Sequence, residues 1–161
     1  LAKNGCKEIT LLGEIVNHYV ALDPEFFSKE NKYSKNDFAK LLWEVNQVEG
    51  IERIHWTGPH PIYMDDEVID ALTLPKQINF LHLPVQSGST EVLRKMNRKH
   101  DREFFIDLIK KIKAKKPGIS IGTDIIVGFC GESLKEFQDD LHIHIHLENN
   151  ILFPKAMKFD D

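Results

Sequence analysis

Short apolar stretches alternate with amphipathic stretches along the chain, and this order predicts strands that alternate with helices. Apolar runs with the length of strands stand at residues 6–12, 51–57, 78–85 and 120–129. A further candidate strand covers residues 151–159, although Pro154 interrupts its start. Because the first four runs are apolar along their whole length, they are typical of strands in a parallel sheet with both faces covered.

Helix signals fill the stretches between these strands. Asn36 and Asp37 form a capping pair in front of apolar positions at helical spacing, which predicts that a helix begins there. Further helices are predicted at residues 65–74, from Ser89 or Thr90 to Met96, at 101–115 and from 133 to about 146, with the end of another at 1–4. Residues 14–35 are polar and irregular, and they predict a long loop, a feature that usually carries function.

The repeated strand–helix order predicts an α/β fold in which helices cover parallel strands. A barrel and a doubly wound open sheet both fit this order, and the spacing does not separate them. In both architectures, functional groups gather at the carboxyl ends of the strands. In this chain those ends carry small or polar residues, at positions 13–14, 57–61, 84–89 and 128–132.

The composition is that of an ordinary globular protein, with 42% apolar and 29% charged residues in a chain of 161. The formal net charge is −4, which excludes a basic field over the whole surface but leaves room for a local basic face. Two cysteines, Cys6 and Cys130, are too few for a disulfide framework or a four-cysteine metal site within the chain. The lack of a signal peptide and of a long apolar run predicts a cytoplasmic protein with no membrane partner, and the missing initiator Met predicts a piece of a longer one.

Two strand-end turns carry candidate ligand-binding residues. The turn at 86–89 opens a helix, where free backbone N–H groups favour an anion, although an ordinary turn with Ser89 as helix cap is the more frequent arrangement. The turn at 128–132 has two glycines but lacks the spacing of a Walker A loop or of a dinucleotide fingerprint. Asp124 places a charge in a predicted apolar strand, so it either lines a site or forms a salt bridge.

Histidines and basic residues give weaker signals. His60 and His82 lie near strand ends without a nucleophile signature, and we interpret both as structural. His142, His144 and His146 lack a further convergent ligand, and we interpret them as incidental. Basic residues cluster at 110–116, interpreted as a solvated helix face, and at 94–102, where a solvated face and contact with RNA phosphates both remain open.

Beyond these local signals, two blocks of sequence resemble the radical-SAM methylthiotransferases. The first runs from HLPVQSGS at 82–89 through VL at 92–93 to MNR at 96–98, and the second is TDIIVGF at 123–129 with GE at 131–132. The segments LLG at 11–13, VN at 16–17 and PHP at 59–61, with Tyr19, follow the order of the family as well. The resemblance implies a partial (β/α) TIM-like barrel of the radical-SAM type, with residues 1–161 as an incomplete catalytic domain truncated at both ends.

The resemblance also implies cofactors that this chain cannot hold alone. The family uses S-adenosylmethionine and 4Fe–4S clusters, one of which is held by a Cys-x3-Cys-x2-Cys loop that would precede Leu1. Neither Cys6 nor Cys130 matches a cluster ligand, and the N-terminal domain and the C-terminal TRAM domain of the family are expected outside the chain. We therefore expect the isolated chain to bind no cluster and to be inactive.

Within the family, the tRNA-modifying type is the nearest match. It implies addition of a methylthio group to C2 of N6-isopentenyladenosine beside the anticodon, with the tRNA anticodon stem-loop as partner. Two alternatives remain, a sister enzyme that modifies an aspartate of a ribosomal protein and a noncatalytic fragment that binds RNA or a protein partner. A sheet without its first strand would also expose an edge through which copies of the chain can associate.

The resemblance assigns cofactor-binding residues by position, and no metal ligand among them. The expected residues are Gln86, Ser87, Gly128, Gly131, Glu132, Asp124 and Arg98. The first two are expected to contact S-adenosylmethionine at the end of the third strand, and the next three to form a glycine motif near its adenine. The last two are expected to line the site or to form a structural ion pair.

The chain departs from the family pattern in three places. Glu14 and Ile15 stand where the family usually has Gln and Asn, so the polar contacts of the family in that loop are not carried over to this chain. Cys130 replaces the proline of a Phe-Pro-Gly-Glu turn, and residues 141–150 fit the family poorly.

Overall fold

A computed structural model of the protein describes residues 1–136 and 138. Its strands and α-helices follow one another as β1 (Glu8–Leu11), α1 (Asp37–Gln47), β2 (Arg53–Trp56), α2 (Asp66–Ala71), β3 (Phe80–His82), α3 (Thr90–Lys95), α4 (Arg102–Lys115) and β4 (Ser120–Gly122). The chain divides into two compact units. The first unit contains Leu1–Pro84 and Ile106–Thr123, and the second contains Val85–Phe105 and the residues from Asp124 onward.

The first unit holds the four strands of residues 1–136 and 138, which form two parallel pairs. β1 pairs with β2 and β3 pairs with β4, both in parallel. An isolated parallel bridge between Ile54 and Gln77 links β2 to the segment that leads into β3. The prediction of parallel strands separated by helices is confirmed, and the strands of the described residues form no closed barrel.

One face of this sheet is packed and the other is open. Ile54, Trp56 and Leu81 are buried, whereas Arg53 and Phe80, on the opposite face, are exposed. On the open face, the Arg53 Nε lies 2.6 Å from the Glu8 Oε2, in a pair between residues in register on β1 and β2. The prediction that both faces are covered is therefore wrong for these strands, because their side chains alternate between apolar and polar surroundings.

Local capping signals set the starts of the helices. The Asn36 Oδ1 accepts hydrogen bonds from the N–H groups of Phe38 and Ala39, at 2.9 and 3.0 Å, so α1 begins where the sequence predicts. Phe38 is fully buried and packs edge-on against Trp56, with ring centroids 5.1 Å apart. The Asp65 Oδ1 caps α2 in the same way through the Val68 N–H.

The loop at 14–35 contains two short 3-10 turns, Val16–His18 and Pro24–Phe26, and side chains of helices fasten it. The Glu67 carboxylate accepts three backbone N–H groups, from Ser34, Lys35 and Asn36, at 3.1, 3.0 and 2.8 Å. The Glu44 carboxylate likewise accepts the N–H and the hydroxyl of Ser28, each at 2.7 Å. These bonds lower the pKa of both carboxyl groups against the opposing effect of burial.

The later strands are shorter than the sequence predicts. β3 covers only Phe80–His82, and β4 ends at Gly122 instead of continuing to residue 129. Asp124 thus lies beyond β4 and is exposed, so the expectation of a charge inside a buried strand is wrong. Residues 134–136 are helical behind Ser133, but the rest of the predicted last helix, the fifth strand and His142, His144 and His146 lie outside the described residues.

Candidate functional site

All seven cofactor-binding residues expected from the sequence belong to the second unit. Its two strand-end loops are joined through the backbone of Gln86. The Gln86 N–H donates to the carbonyl of Asp124 at 2.9 Å, and the Gln86 carbonyl accepts from the Ile126 N–H at 2.8 Å. These bonds form a parallel bridge between Gln86 and Ile125, so the turn at 86–89 lies beside the segment that leads into the glycine turn.

Gln86 adopts a left-handed backbone conformation, with φ of 73°. For a residue with a Cβ this conformation costs on the order of 1 kcal/mol or more and persists only where the surroundings enforce it. Because both backbone groups of Gln86 are occupied in the bridge, the strain is fixed by the pairing of the two loops. Such a non-glycine residue in the left-handed region is typical of functional sites.

Ser87 and Ser89 hold the turn itself in place. Ser87 is fully buried, and its Oγ accepts the Ser89 N–H at 3.1 Å. The Ser89 Oγ accepts the Val92 N–H at 3.3 Å as the cap of α3, and donates to the Glu136 Oε1 at 3.2 Å. The ordinary capping role considered for Ser89 is confirmed, and the Ser87 hydroxyl shapes the turn from inside.

The glycine turn at 128–132 depends on two left-handed glycines. Gly128 and Gly131 have φ of 71° and 81°, and a Cβ at Gly128 would meet no atom within 4 Å. The Glu132 Oε2 accepts the Phe129 N–H at 3.0 Å, and the Glu132 N–H returns a bond to the Phe129 carbonyl at 2.8 Å. From α3, the Lys95 Nζ donates to the carbonyl of Gly131 at 2.7 Å, which ties the turn to the helix.

Arg98 is positioned by the end of α3. Asn97 takes a left-handed conformation with φ of 56°, and the Arg98 N–H donates to the Leu93 carbonyl at 2.8 Å, as in a Schellman motif. The Arg98 Nε and the Glu132 Oε1 are both buried and find no hydrogen-bond partner among the residues that the structure describes. Because a buried polar atom rarely stays unpaired, these two atoms are candidates for contact with a ligand.

The two basic clusters have different surroundings. In the cluster at 110–116, Lys111 pairs with Asp66, Lys115 pairs with Asp70 at 2.6 Å, and Lys116 donates to three backbone carbonyls. Burial lowers the pKa of Lys116. Lys110, Lys111 and Lys115 are exposed and their ion pairs lie at the surface, so the predicted solvated face is confirmed for these lysines. Lys116 is the exception, because it is half-buried and bonds to backbone carbonyls.

In the cluster at 94–102, the side chains divide between interior and surface. His100 is buried, and its Nε2 lies 3.3 Å from the Val85 carbonyl. Burial lowers the pKa of His100. Arg94, Lys99 and Arg102 are exposed, and Arg94 pairs with the exposed Glu91.

In the first unit, the turns that follow β1 and β2 form a second polar cluster, which includes the segments at 16–17 and 59–61 that follow the order of the family. The Asn17 Oδ1 accepts the His60 N–H at 2.8 Å, and the Asn17 Nδ2 donates to the His60 carbonyl at 3.0 Å. The ring of His18 stacks on the ring of Tyr63, with centroids 4.1 Å apart and planes 18° apart. His18 and Tyr63 follow consecutive strands in the sequence, which is the signal that could have indicated the stack. The two residues are far apart in the chain, however, so the sequence does not predict that their rings meet.

His60 plays the structural role that its position suggested. Its Nδ1 accepts the Ile62 N–H at 3.3 Å and so caps the 3-10 turn Pro61–Tyr63.

Within residues 1–136 and 138, no three His, Cys, Asp or Glu side chains come together as a metal-binding group. Over the same part of the chain, every helix is too short or too polar to cross a membrane.

Comparison with known proteins identifies the family. The profile of the Radical SAM superfamily matches residues 2–143. Three curated relatives share the name tRNA-2-methylthio-N(6)-dimethylallyladenosine synthase. The one from Wolinella succinogenes is 46% identical over 144 residues, which cover 89% of this chain and 32% of the relative. The one from Campylobacter hominis is 43% identical over 158 residues, which cover 98% of this chain and 34% of the relative. The one from Helicobacter pylori strain Shi470 is 44% identical over 144 residues, which cover 89% of this chain and 32% of the relative.

The chain therefore spans about a third of the length of these relatives. The superfamily profile, in contrast, extends over most of the chain and includes both strand-end loops of the second unit. On this match, the chain belongs to the radical SAM superfamily.

Proposed function

We propose that the chain is part of the catalytic domain of a tRNA methylthiotransferase, which adds a methylthio group to C2 of N6-isopentenyladenosine beside the anticodon. The observation that carries this proposal is the identity of 43 to 46% with synthases named for that modified nucleoside. The matched region includes the two loops that converge on Gln86. In this proposal the tRNA anticodon stem-loop is the partner, and the reaction takes place in the cytoplasm.

The side chains of the second unit fit the cofactor of the superfamily, S-adenosylmethionine. This molecule has an amino-acid end with a carboxylate and an ammonium group, so it needs both a cationic and an anionic partner. Arg98 and Glu132 offer these charges, and each has a buried polar atom with no partner within residues 1–136 and 138. The charge-assisted hydrogen bonds that would form are roughly twice as strong as neutral ones.

The backbone of the same loops would hold the rest of the cofactor. Gly128 and Gly131 lack a Cβ, so a flat ring can approach the backbone of their turn closely. Gln86 would present its amide beside this turn. Ser87 would fix the geometry of the turn at 86–89 through the bond that its hydroxyl accepts from the Ser89 N–H. Asp124, exposed at the same bridge, would form part of the wall of the site.

When bound, S-adenosylmethionine with a reduced 4Fe–4S cluster supplies a radical that can remove hydrogen from an unreactive carbon. The residues of this chain would orient the cofactor and exclude water from it. The two cysteines, Cys6 and Cys130, are too few for a three-cysteine cluster loop, and Cys130 is exposed. We therefore place the cluster ligands of this activity outside these 161 residues.

Deletion of the gene that encodes the chain tests the proposal. Mass spectrometry of digested tRNA should show loss of the 2-methylthio group and accumulation of N6-isopentenyladenosine, with recovery when the gene is restored. Unchanged tRNA together with loss of a methylthio group from an aspartate of a ribosomal protein would instead assign the sister activity. Unchanged tRNA and unchanged ribosomal protein would refute both enzyme assignments.

Variants of the restored gene test the site. Arg98→Met should abolish most of the modification, because it removes the guanidinium whose buried Nε would pair with the cofactor carboxylate. Arg94→Met is the matched control, since Arg94 belongs to the same basic cluster but is exposed and pairs with an exposed Glu91. Equal losses for the two variants would contradict the assignment of Arg98.

A further inference from the structure

An aromatic stack lies at the carboxyl ends of β1 and β2, in the first unit. The ring of His18 lies on the ring of Tyr63, with centroids 4.1 Å apart and planes 18° apart, and His60 meets Tyr63 edge-on at 5.9 Å. His18 ends the 3-10 turn behind β1, and Tyr63 ends the 3-10 turn behind β2. In parallel α/β architectures, this end of the strands is where ligands bind.

The backbone under the stack is fixed by contacts that leave little freedom. Asn17 is 2% exposed and exchanges two hydrogen bonds with the backbone of His60. The Val16 N–H donates to the Gly58 carbonyl at 3.2 Å, and a Cβ on Gly58 would lie 2.5 Å from the carbonyl oxygen of Gly13. Since the two turns are locked together, the paired rings are ordered before any ligand arrives, which reduces the entropy cost of binding.

The stack adds little to the core of the first unit. His18 is exposed and Tyr63 is half-buried, whereas the core of this unit consists of aliphatic and aromatic residues on the packed face of the sheet. An exposed flat ring backed by a second ring is the arrangement on which nucleobases stack. His18 makes no second ring contact within residues 1–136 and 138, so its ring surface is available to a further planar group.

We propose that His18 and Tyr63 form a stacking shelf for a purine base of the RNA substrate, which the protein uses to position that substrate. The choice of RNA as ligand rests on the proposed function, whereas the shelf itself rests on the geometry of the two rings. A purine base gains more stacking free energy than a pyrimidine base, because its flat face is larger. His18 is thus a positioning residue, and Asn17 and His60 hold the shelf in place.

The first test uses adenosine 5′-monophosphate as the probe and does not depend on the proposed function. Saturation-transfer NMR is recorded on the full gene product with the nucleotide alone, and the dependence of the signal on His18 separates the shelf from any other nucleotide site. Irradiation of protein methyl protons should saturate the adenine protons in the wild type and in His18→Phe, and should do so far less in His18→Ala and His18→Leu. No transfer in the wild type, or equal transfer in all variants, would overturn the shelf.

The second test uses an anticodon stem-loop RNA with 2-aminopurine in place of the target adenosine. Stacking should quench its fluorescence, and His18→Ala should weaken binding by roughly 5- to 30-fold while His18→Phe retains most of the affinity. Phe26→Ala is the matched control, because Phe26 is 84% exposed in the same loop and belongs to no ring pair within the described residues. If each variant unfolds at the same midpoint as the wild type, a loss of affinity does not come from misfolding.

The two tests separate failure of the shelf from failure of the proposed function. If the nucleotide binds at His18 but the stem-loop does not bind and the tRNA modification is unaffected by gene deletion, then the shelf stands as a purine site and the proposed function falls. If the stem-loop binds and the modification depends on the gene, but His18→Ala matches Phe26→Ala in affinity, then the proposed function stands and the shelf falls.

Discussion

Asn17 and His60 are joined by a pair of hydrogen bonds in which one side-chain amide satisfies both backbone groups of a residue on the next turn. The Asn17 Oδ1 lies 2.8 Å from the His60 N, and the Asn17 Nδ2 lies 3.0 Å from the His60 O. This contact couples the turn behind β1 to the turn behind β2. It also explains why an amide is found at a position that is almost fully buried.

Asn17→Ala should destabilise the protein by about 1 to 3 kcal/mol, because the half-buried His60 N–H loses its acceptor and the His60 carbonyl keeps only the Tyr63 N–H as a donor. Urea unfolding followed by circular dichroism measures the change. Asn4→Ala is a suitable control, since Asn4 is exposed in a short N-terminal turn and should change stability by less than about 0.5 kcal/mol. A loss in Asn17→Ala as small as in the control would contradict a tight coupling of the two turns.

The features that could be predicted from the sequence are the local ones. Asn36, Asp65 and Ser89 bond within their own first helical turn, so the identity of each residue and its neighbours suffices to predict the helix start. The turns at 86–89 and 128–132 could be predicted from the sequence for the same reason, because glycines that follow an apolar run indicate that the strand has ended.

The features that could not be predicted depend on contacts distant in the chain. β4 ends at Gly122 although the apolar run continues, because strand length is set by the partner strand and not by local composition. Likewise, the sequence does not predict that Ser87 is fully buried or that the ring of His18 stacks on the ring of Tyr63. Each of these facts depends on how two separate turns meet in space.

Asp70 joins the loop at 14–35 to α2 and α4, and its removal should lower stability at neutral pH. Its carboxylate, 29% exposed at the side chain, accepts from Lys115, Lys32 and Tyr33 at 2.6, 2.7 and 2.8 Å. The hydrogen bonds from Lys115 and Lys32 hold the pKa of Asp70 far below its usual value. Asp70→Asn should therefore cost about 1 to 2 kcal/mol at pH 7.

The pH dependence of this loss has a definite sign. Because the folded-state pKa of Asp70 is below its unfolded value near 3.8, the stabilisation is present above that value and is lost as the pH falls below it. The gap in unfolding free energy between wild type and Asp70→Asn should thus close on acidification from pH 7 toward pH 2. Asp107→Asn, which removes an exposed pair with Lys110, should run parallel to the wild type throughout. A gap that stays constant with pH would contradict this account.

Gln86 stores backbone strain that a glycine would relieve. Its φ of 73° is unfavourable for any side chain with a Cβ, and its backbone bonds to Asp124 and Ile126 do not involve the side chain. Gln86→Gly should therefore be more stable than Gln86→Ala by up to about 1 kcal/mol, after the larger entropy loss of glycine is counted. Thermal unfolding of the two variants gives this difference directly. In the full gene product both variants should bind S-adenosylmethionine less tightly than the wild type, because both lack the Gln86 amide.

His100 should make the protein less stable in mild acid. Burial lowers its pKa, the bond to the Val85 carbonyl raises it, and the charges of Arg98 and Asp101 act in opposite directions, with burial the largest effect. Because the folded-state pKa is below the ordinary value of 6.5, the unfolded chain takes up the proton first, and stability falls as the pH drops below that value. His100→Gln keeps an N–H donor for the Val85 carbonyl but cannot titrate. The fall in unfolding free energy between pH 7.5 and pH 5 should therefore be smaller in His100→Gln than in the wild type, as measured by urea unfolding at each pH. Identical pH profiles for the two proteins would show that the imidazole is solvated enough to protonate in the folded state.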